Sequence, residues 1–128
     1  MAFIKFKPLT AEIIYNSVIE NNQIDKNILE LIVAGEDIFT VCKATRDLFI
    51  LTNKRILIID FKGVSGTDKN IYSIPLKSIV SYNINIHKLD TRFDIATSSG
   101  YQLDVKFSKS IHVDTMYSIY NYISKKVL

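Results

Sequence analysis

Between Arg46 and Asp60 the chain reads Arg-Asp-Leu-Phe-Ile-Leu-Thr-Asn-Lys-Arg-Ile-Leu-Ile-Ile-Asp, two β-rich apolar runs separated only by a polar Thr52-Asn53-Lys54-Arg55 break. A parallel return needs a crossover of about a dozen residues, and this break is far shorter, so the runs must fold back as a tight antiparallel hairpin. Both parities of each arm are apolar: Phe49 and Leu51 oppose Leu48 and Ile50, while Leu57 and Ile59 oppose Ile56 and Ile58. A sheet wall with water on one side alternates apolar with polar residues. This wall does not alternate, so each of its faces must find apolar cover.

The period of two extends from Glu36 to Phe107 and predicts strands over 36–43, 46–52, 54–61, 70–74, 78–87, 91–97 and 101–107. Most of the intervening breaks, such as Ala44-Thr45, Pro75-Leu76-Lys77 and Ser98-Ser99-Gly100, permit only antiparallel neighbours. Two of these strands have one wet face: Val80, Tyr82, Ile84 and Ile86 alternate with Ser81, Asn83 and Asn85, and Tyr101, Leu103, Val105 and Phe107 alternate with Gln102, Asp104 and Lys106.

Beyond Phe107, Ser110 can cap a helix carrying Val113, Met116, Tyr117, Tyr120, Ile123 and Val127 at helical spacing, with Asp114 early and Lys125-Lys126 late as the helix dipole favours. Ahead of the sheet, Thr10 as N-cap and Ala11, Ile14, Tyr15, Val18 and Ile19 predict a short amphipathic helix. Asn21-Asn22-Gln23 breaks it, and Asp25 can cap a second short turn with Ile28, Leu29 and Ile32 before Gly35 stops it. The expected fold class is mostly β (α+β): a barrel of about seven antiparallel strands, a C-terminal capping helix and a short N-terminal helical segment. Its core should include Val80, Tyr82, Ile84, Leu103, Val105, Phe107, Met116, Tyr120 and Ile123.

A chain of 128 residues fits one domain and buries roughly two-thirds of its unfolded surface without disulfides or metals. Its 48% hydrophobic and 23% charged residues are those of a globular protein. The 16 Lys and Arg residues never cluster beyond pairs, which argues against a nucleic-acid partner. Cys42 is the single cysteine and cannot form an intramolecular disulfide, which points to a reducing, cytoplasmic setting. Lys5, Lys7 and Pro8 interrupt any secretory signal in the first ten residues, and there is no apolar run of about 18 residues for a spanning helix.

Catalytic chemistry finds little to stand on. Gly63-Val64-Ser65-Gly66 lacks the spacing of a nucleophile elbow, and His87 and His112 have no ligand-like spacing to Cys42 or to carboxylates, so no catalytic residue, metal or cofactor is expected. Cys42 alternates with Ile38 and Thr40 and reads as a buried structural thiol. Asp94 and Asp104 can meet across a hairpin, although carboxylates on wet strand faces are ordinary. Arg46 and Asp47 are adjacent on a strand, face opposite ways and must each seek another partner. Lys54-Arg55 at the hairpin tip reads as a solvated turn able to meet an acidic partner.

Gly35-Glu36 before the first strand, Arg46-Asp47, Leu51-Thr52-Asn53-Lys54-Arg55, Asp60 ahead of the Gly63 loop, and Ser73-Ile74-Pro75 followed by Ser78-Ile79 together resemble the bacterial pleckstrin-homology (PH) domain family. Thr91-Arg92-Phe93-Asp94 retains the Thr, Phe and Asp of that family's sixth strand in looser spacing. The resemblance implies a PH-like domain over 35–128 with the 1–34 helical segment packed on it. It further implies a non-enzymatic scaffold or protein–protein interaction module. The same resemblance implies a dome-shaped cyclic homo-oligomer assembled through adjacent protomers' strands, a pentamer being the suggested ring, with a polar junction expected to meet an unidentified protein partner. On this reading Arg46, Asp47, Asn53, Lys54 and Arg55 are candidates for the subunit or partner surface. A neighbouring subunit or the protein's own helices can cover the second apolar side of the 46–61 hairpin. The alternative is a peripheral membrane or phosphoinositide-type module, which needs several cations around a long loop. Here the corresponding link is only Ala44-Thr45, flanked by Lys43 and Arg46, and is too short to wrap an inositol phosphate.

Overall fold

The computed structural model describes residues 13–128. Its strands are β1 (Ile14–Tyr15), β2 (Ser17–Ile19), β3 (Ile38–Ala44), β4 (Asp47–Thr52), β5 (Arg55–Lys62), β6 (Asp68–Pro75), β7 (Ile79–Ile86), β8 (Asp90–Thr97) and β9 (Gln102–Ser108). A four-residue helix α1 (Lys26–Leu29) precedes β3, and α2 (Val113–Val127) follows β9. One sheet runs β1-β9-β8-β7 and the other β2-β3-β4-β5-β6, so the Pro75-Leu76-Lys77 break, expected to join antiparallel neighbours, instead carries the chain from the edge of one sheet to the edge of the other. The predicted hairpin is present in register, with Leu48 opposite Ile59 and Leu51 opposite Ile56. Thr52 closes it, its hydroxyl accepting from the N–H groups of Lys54 and Arg55 at 3.1 and 3.0 Å.

The segment expected to be an amphipathic helix is extended instead. Ile14 and Tyr15 pair in parallel with Lys106 and Phe107 of β9, while Ser17, Val18 and Ile19 pair antiparallel with β3. Between them Asn16 donates its N–H to the Lys43 carbonyl and accepts from the Ser110 hydroxyl through its own carbonyl. One short run thus fastens the edge of each sheet to the other and closes the barrel on that side. Ile14, Tyr15, Val18 and Ile19 fit a helical spacing, but β-branched residues also favour strands, and two open edges offered backbone partners. The expected cap Thr10, with Ala11, lies outside the described residues. Tyr15 becomes core, fully buried against Phe49 and Phe107 at centroid distances of 5.9 and 5.6 Å.

The barrel interior is filled by Phe49, Leu51, Ile56, Ile58, Phe93, Leu103, Val105 and Phe107, with Met116, Ile119 and Ile123 of α2 laid across it. Tyr82, Ile84 and Tyr120 border this core half-buried. Val80 does not join it. A bulge between Ile79 and Ser81 turns Ile79 inward and leaves Val80 65% exposed, which breaks the simple alternation read from the sequence. Ile86, at the far end of the same alternation, is exposed as well. Helix α2 is capped by the His112 ring, which accepts from the Asp114 N–H, and not by Ser110, whose hydroxyl is bonded to the Asn16 carbonyl. Asp25 stands at the N-cap of α1 but makes no side-chain cap bond; its carbonyl accepts from Ile28 and Leu29.

The second apolar face of the hairpin is covered from within the chain. Ile24 and Ile28 press on Val41, Leu48, Ile50, Leu57 and Ile59, with Leu29, Leu31 and Ile32 at the margin. A buried Ile or Leu side chain contributes roughly 1.5–3 kcal/mol, so this small cluster is a strong reason for the 21–32 segment to lie where it does. β4 and β5 are therefore a wall between two cores.

Candidate functional site

The five residues singled out on the hairpin divide between the two ends of β4, about 20 Å apart at the usual rise per strand residue. At one end Thr45 takes a left-handed φ of 48° in the tight β3–β4 turn. Arg46 beside it donates to the Gly63 carbonyl at 2.7 Å, and Asp47 accepts from the Phe61 N–H at 2.8 Å. Each finds its own partner, as opposite facing requires, and both partners are backbone groups. Burial, then the charge of Asp60, raises the Asp47 pKa, while the Phe61 hydrogen bond works against the rise.

At the other end the polar residues strap the 31–37 segment to the hairpin tip. Asn53 accepts from the Asp37 N–H at 2.8 Å and donates to the Gly35 carbonyl at 3.1 Å. Gly35 has a φ of 79°, which disfavours any side chain there. Glu36 sits with its carboxylate fully shielded and receives four hydrogen bonds: Arg55 Nε at 2.9 Å, an Arg55 terminal nitrogen at 3.0 Å, the Thr52 hydroxyl at 2.7 Å and the Val33 N–H at 3.1 Å. Arg55 also donates to the Leu31 carbonyl at 2.6 Å and to Ser73 at 3.0 Å. Burial alone would raise the Glu36 pKa; the bonds from Arg55, Thr52 and Val33, with the Arg55 charge, hold it below the ordinary carboxylate value. Asn53 and Arg55 are thus engaged within the chain itself, and Lys54 is exposed to solvent.

A second polar arrangement lies on the outer face of the other sheet. Asp94 and Asp104 are direct cross-strand partners of β8 and β9, and Asn85 donates to Asp94 at 2.9 Å. Burial, followed by a hydrogen bond and charge from Asp94, raises the Asp104 pKa, with Lys106 and Arg92 opposing. A shallow depression of about 380 Å³ lined by Ser81, Asn83, Gln102 and both aspartates opens over this pair. Cys42 is fully buried, and burial pushes its thiol up to about 12, leaving it inert at neutral pH. Among the described residues no three His, Cys, Asp or Glu side chains group as metal ligands would. Among the same residues no helix is long and apolar enough to cross a membrane.

Sequence reasoning missed Glu36 as the counter-ion of Arg55, although both belonged to the quoted motif pieces. The polar hairpin tip was the one available signal, since a guanidinium beside a buried strand end needs an acceptor.

Two packed sheets, a two-core hairpin and a C-terminal capping helix define a PH-like barrel, and comparison with known proteins agrees. The sequence model of the bacterial PH domain matches residues 9–127, and the chain belongs to that family. It is 27% identical over 88 residues to the uncharacterized protein YjqA of Bacillus subtilis (strain 168), an alignment covering 69% of this chain and 62% of that protein's length. The fold is similar to that of a DUF1696 family protein with a pleckstrin-homology domain from Shewanella loihica PV-4: TM-score 0.76, 22% identity, 88% of this chain and 97% of that one. It is also similar to a pleckstrin homology domain from Shewanella amazonensis SB2B: TM-score 0.66, 24% identity, 86% of this chain and 90% of that one.

Proposed function

We propose that the protein is a non-enzymatic, cytoplasmic interaction module that self-associates into a ring and offers a surface to a protein partner. The observation that carries this reading is a pair of open sheet edges. β6 and β7 are adjacent in sequence and each runs for eight residues, yet each ends its sheet, with no further strand paired to its outer side among the described residues. The opposite seam is closed by the Ile14–Ile19 run, so backbone pairing with another chain is available mainly where the barrel splits. Long open edges invite strand pairing, and natural monomers usually blunt them. Exposed Ile71 on β6 and Val80 and Ile86 on β7 add apolar surface to that seam.

Light scattering coupled to size exclusion at micromolar concentration tests the assembly, with a mass at a fixed multiple of the protomer expected and a strictly monomeric mass overturning it. Ile71→Lys, which sets a charge at an exposed position on the β6 edge opposite Ile59, should shift the population toward monomer. The membrane alternative is disfavoured by the tight β3–β4 turn and by the bond that holds Arg46 to Gly63. Negligible binding to phosphatidylserine or phosphoinositide vesicles at about 0.15 M salt is expected; robust co-sedimentation would restore that reading.

A further inference from the structure

At the Arg55 end of the hairpin, a cleft of about 520 Å³ is lined by Val33, Glu36, Asn53, Lys54, Arg55, Pro75, Leu76, Lys77 and Lys126. Its three lysines come from three separate places: the β4–β5 turn, the turn between β6 and β7, and the last helical turn of α2. All three are exposed. None forms a salt bridge among the described residues; Lys126 lies over the Tyr122 ring at 5.4 Å. The single carboxylate lining the cleft, Glu36, is consumed by Arg55 and Thr52. The cleft therefore carries three ammonium groups without an ion-pair partner among the described residues, their charge reduced by the partial negative end of α2 and by exposed Asp37, whose charge reaches Tyr122 beside Lys126.

We propose that this cleft docks an acidic segment of a partner protein, its carboxylates meeting Lys54, Lys77 and Lys126 and an apolar side chain resting on Val33, Pro75 and Leu76. Charge complementarity selects the anion, and the state of the local backbone selects its class. Compact phosphate sites gather oriented backbone N–H groups, often at a helix N-terminus or nest. Here the Lys54 and Arg55 N–H groups donate to Thr52, the Leu76 N–H donates to the Lys54 carbonyl, and the end of α2 that reaches the cleft is its C-terminus. The Arg55 fork is spent on Glu36 and Leu31. What remains is a set of long, adaptable cations beside an apolar wall. Carboxylates spaced along a peptide fit that arrangement, and a rigid cluster of phosphate oxygens does not.

The site deepens the interaction-module reading and rests on it, but it is tested separately from ring formation. Fluorescence anisotropy on the intact protein would use a labelled decapeptide of alternating glutamate and leucine, the same peptide with glutamine for glutamate, and pyrophosphate as competitor. Binding of the acidic peptide should weaken at least tenfold between low and physiological salt and at least tenfold in Lys54→Glu/Lys77→Glu/Lys126→Glu. It should persist in a control that reverses Lys26, Lys88 and Lys109. Equal loss in both triple variants, equal affinity for the glutamine peptide, or displacement by micromolar pyrophosphate would each overturn the proposal. Light scattering on the same samples keeps the two readings apart: a ring that ignores the peptide removes only this site, and a monomer that binds it removes only the assembly.

Discussion

Glu36 and Asp104 are two carboxyl groups that the fold treats in opposite ways. Glu36 is deeper, its side chain shielded from solvent, yet its pKa is lowered, because Arg55, Thr52 and the Val33 N–H answer each of its oxygens. Asp104 is only half-buried on an outer sheet face, yet its pKa is raised, because its direct cross-strand neighbour is Asp94. Depth therefore does not decide the cost of a charge here; the sign and geometry of the nearest partner do. The first site joins three segments of chain, 31–37, the hairpin tip and β6, and the second joins two strands that already share a full ladder.

The largest expected effect comes from breaking the first site. Arg55→Met keeps the aliphatic stem but leaves a shielded carboxylate without its counter-ion, and removing one member of a buried pair costs about 3–5 kcal/mol. Urea unfolding at neutral pH should show a loss of that size with an unchanged m-value. A loss within about 0.5 kcal/mol, the range of ordinary surface substitutions, would mean that the strap is incidental and that the Ile24–Ile28 cluster alone holds the 21–32 segment.

Acidification sharpens the contrast, since the two groups push stability in opposite directions. A carboxyl whose pKa is lowered by folding contributes stability that is complete above its unfolded pKa, about 4, and is lost as pH falls through the lower folded value. Glu36 follows that course. For Asp104 the folded pKa is the higher one, so its penalty is complete above that value and is relieved as pH falls toward about 4. In Arg55→Met, Glu36 becomes a buried acid without its counter-ion, held only by Thr52 and Val33, and should protonate earlier, so the gap between this variant and the native protein should narrow from about pH 7 toward about pH 4. A gap independent of pH would show that lost packing, not the uncompensated charge, is what destabilises the variant.

These two sites also mark where the sequence speaks and where it falls silent. The barrel was legible because its hairpins are local: alternation, short polar breaks and the Thr52-Asn53-Lys54-Arg55 turn act within a few residues of one another. Asp94 and Asp104 could be paired on paper for the same reason. The Glu36–Arg55 link spans 19 residues and carries no periodic signal. The Ile14–Ile19 run satisfied both helical and strand patterns, and the choice was made by sheet edges at Lys43 and Lys106, one of them most of a chain away. Lys54, Lys77 and Lys126 look dispersed in sequence because their convergence is purely tertiary. The Val80 error is smaller in scale, one bulge inside an otherwise correct strand.

The smallest effect tests the second site. Asp104→Asn keeps the side-chain shape and a hydrogen-bond partner for Asp94 while removing one of two facing negative charges. Like charges directly opposite on a sheet destabilise by about 0.2–1 kcal/mol, so the variant should be more stable than the native protein by that amount at pH 7. The solvent that reaches a half-buried face, and the opposing charges of Arg92 and Lys106, keep the gain at the low end. It should shrink as pH falls through the raised Asp104 pKa toward the unfolded value of about 4, as the native carboxyl takes up its proton and stops repelling its neighbour. A variant less stable than the native protein at pH 7 would mean that the two carboxyls share a proton in a bond worth more than their repulsion. The outer sheet face would then resemble the Glu36 site instead of contrasting with it.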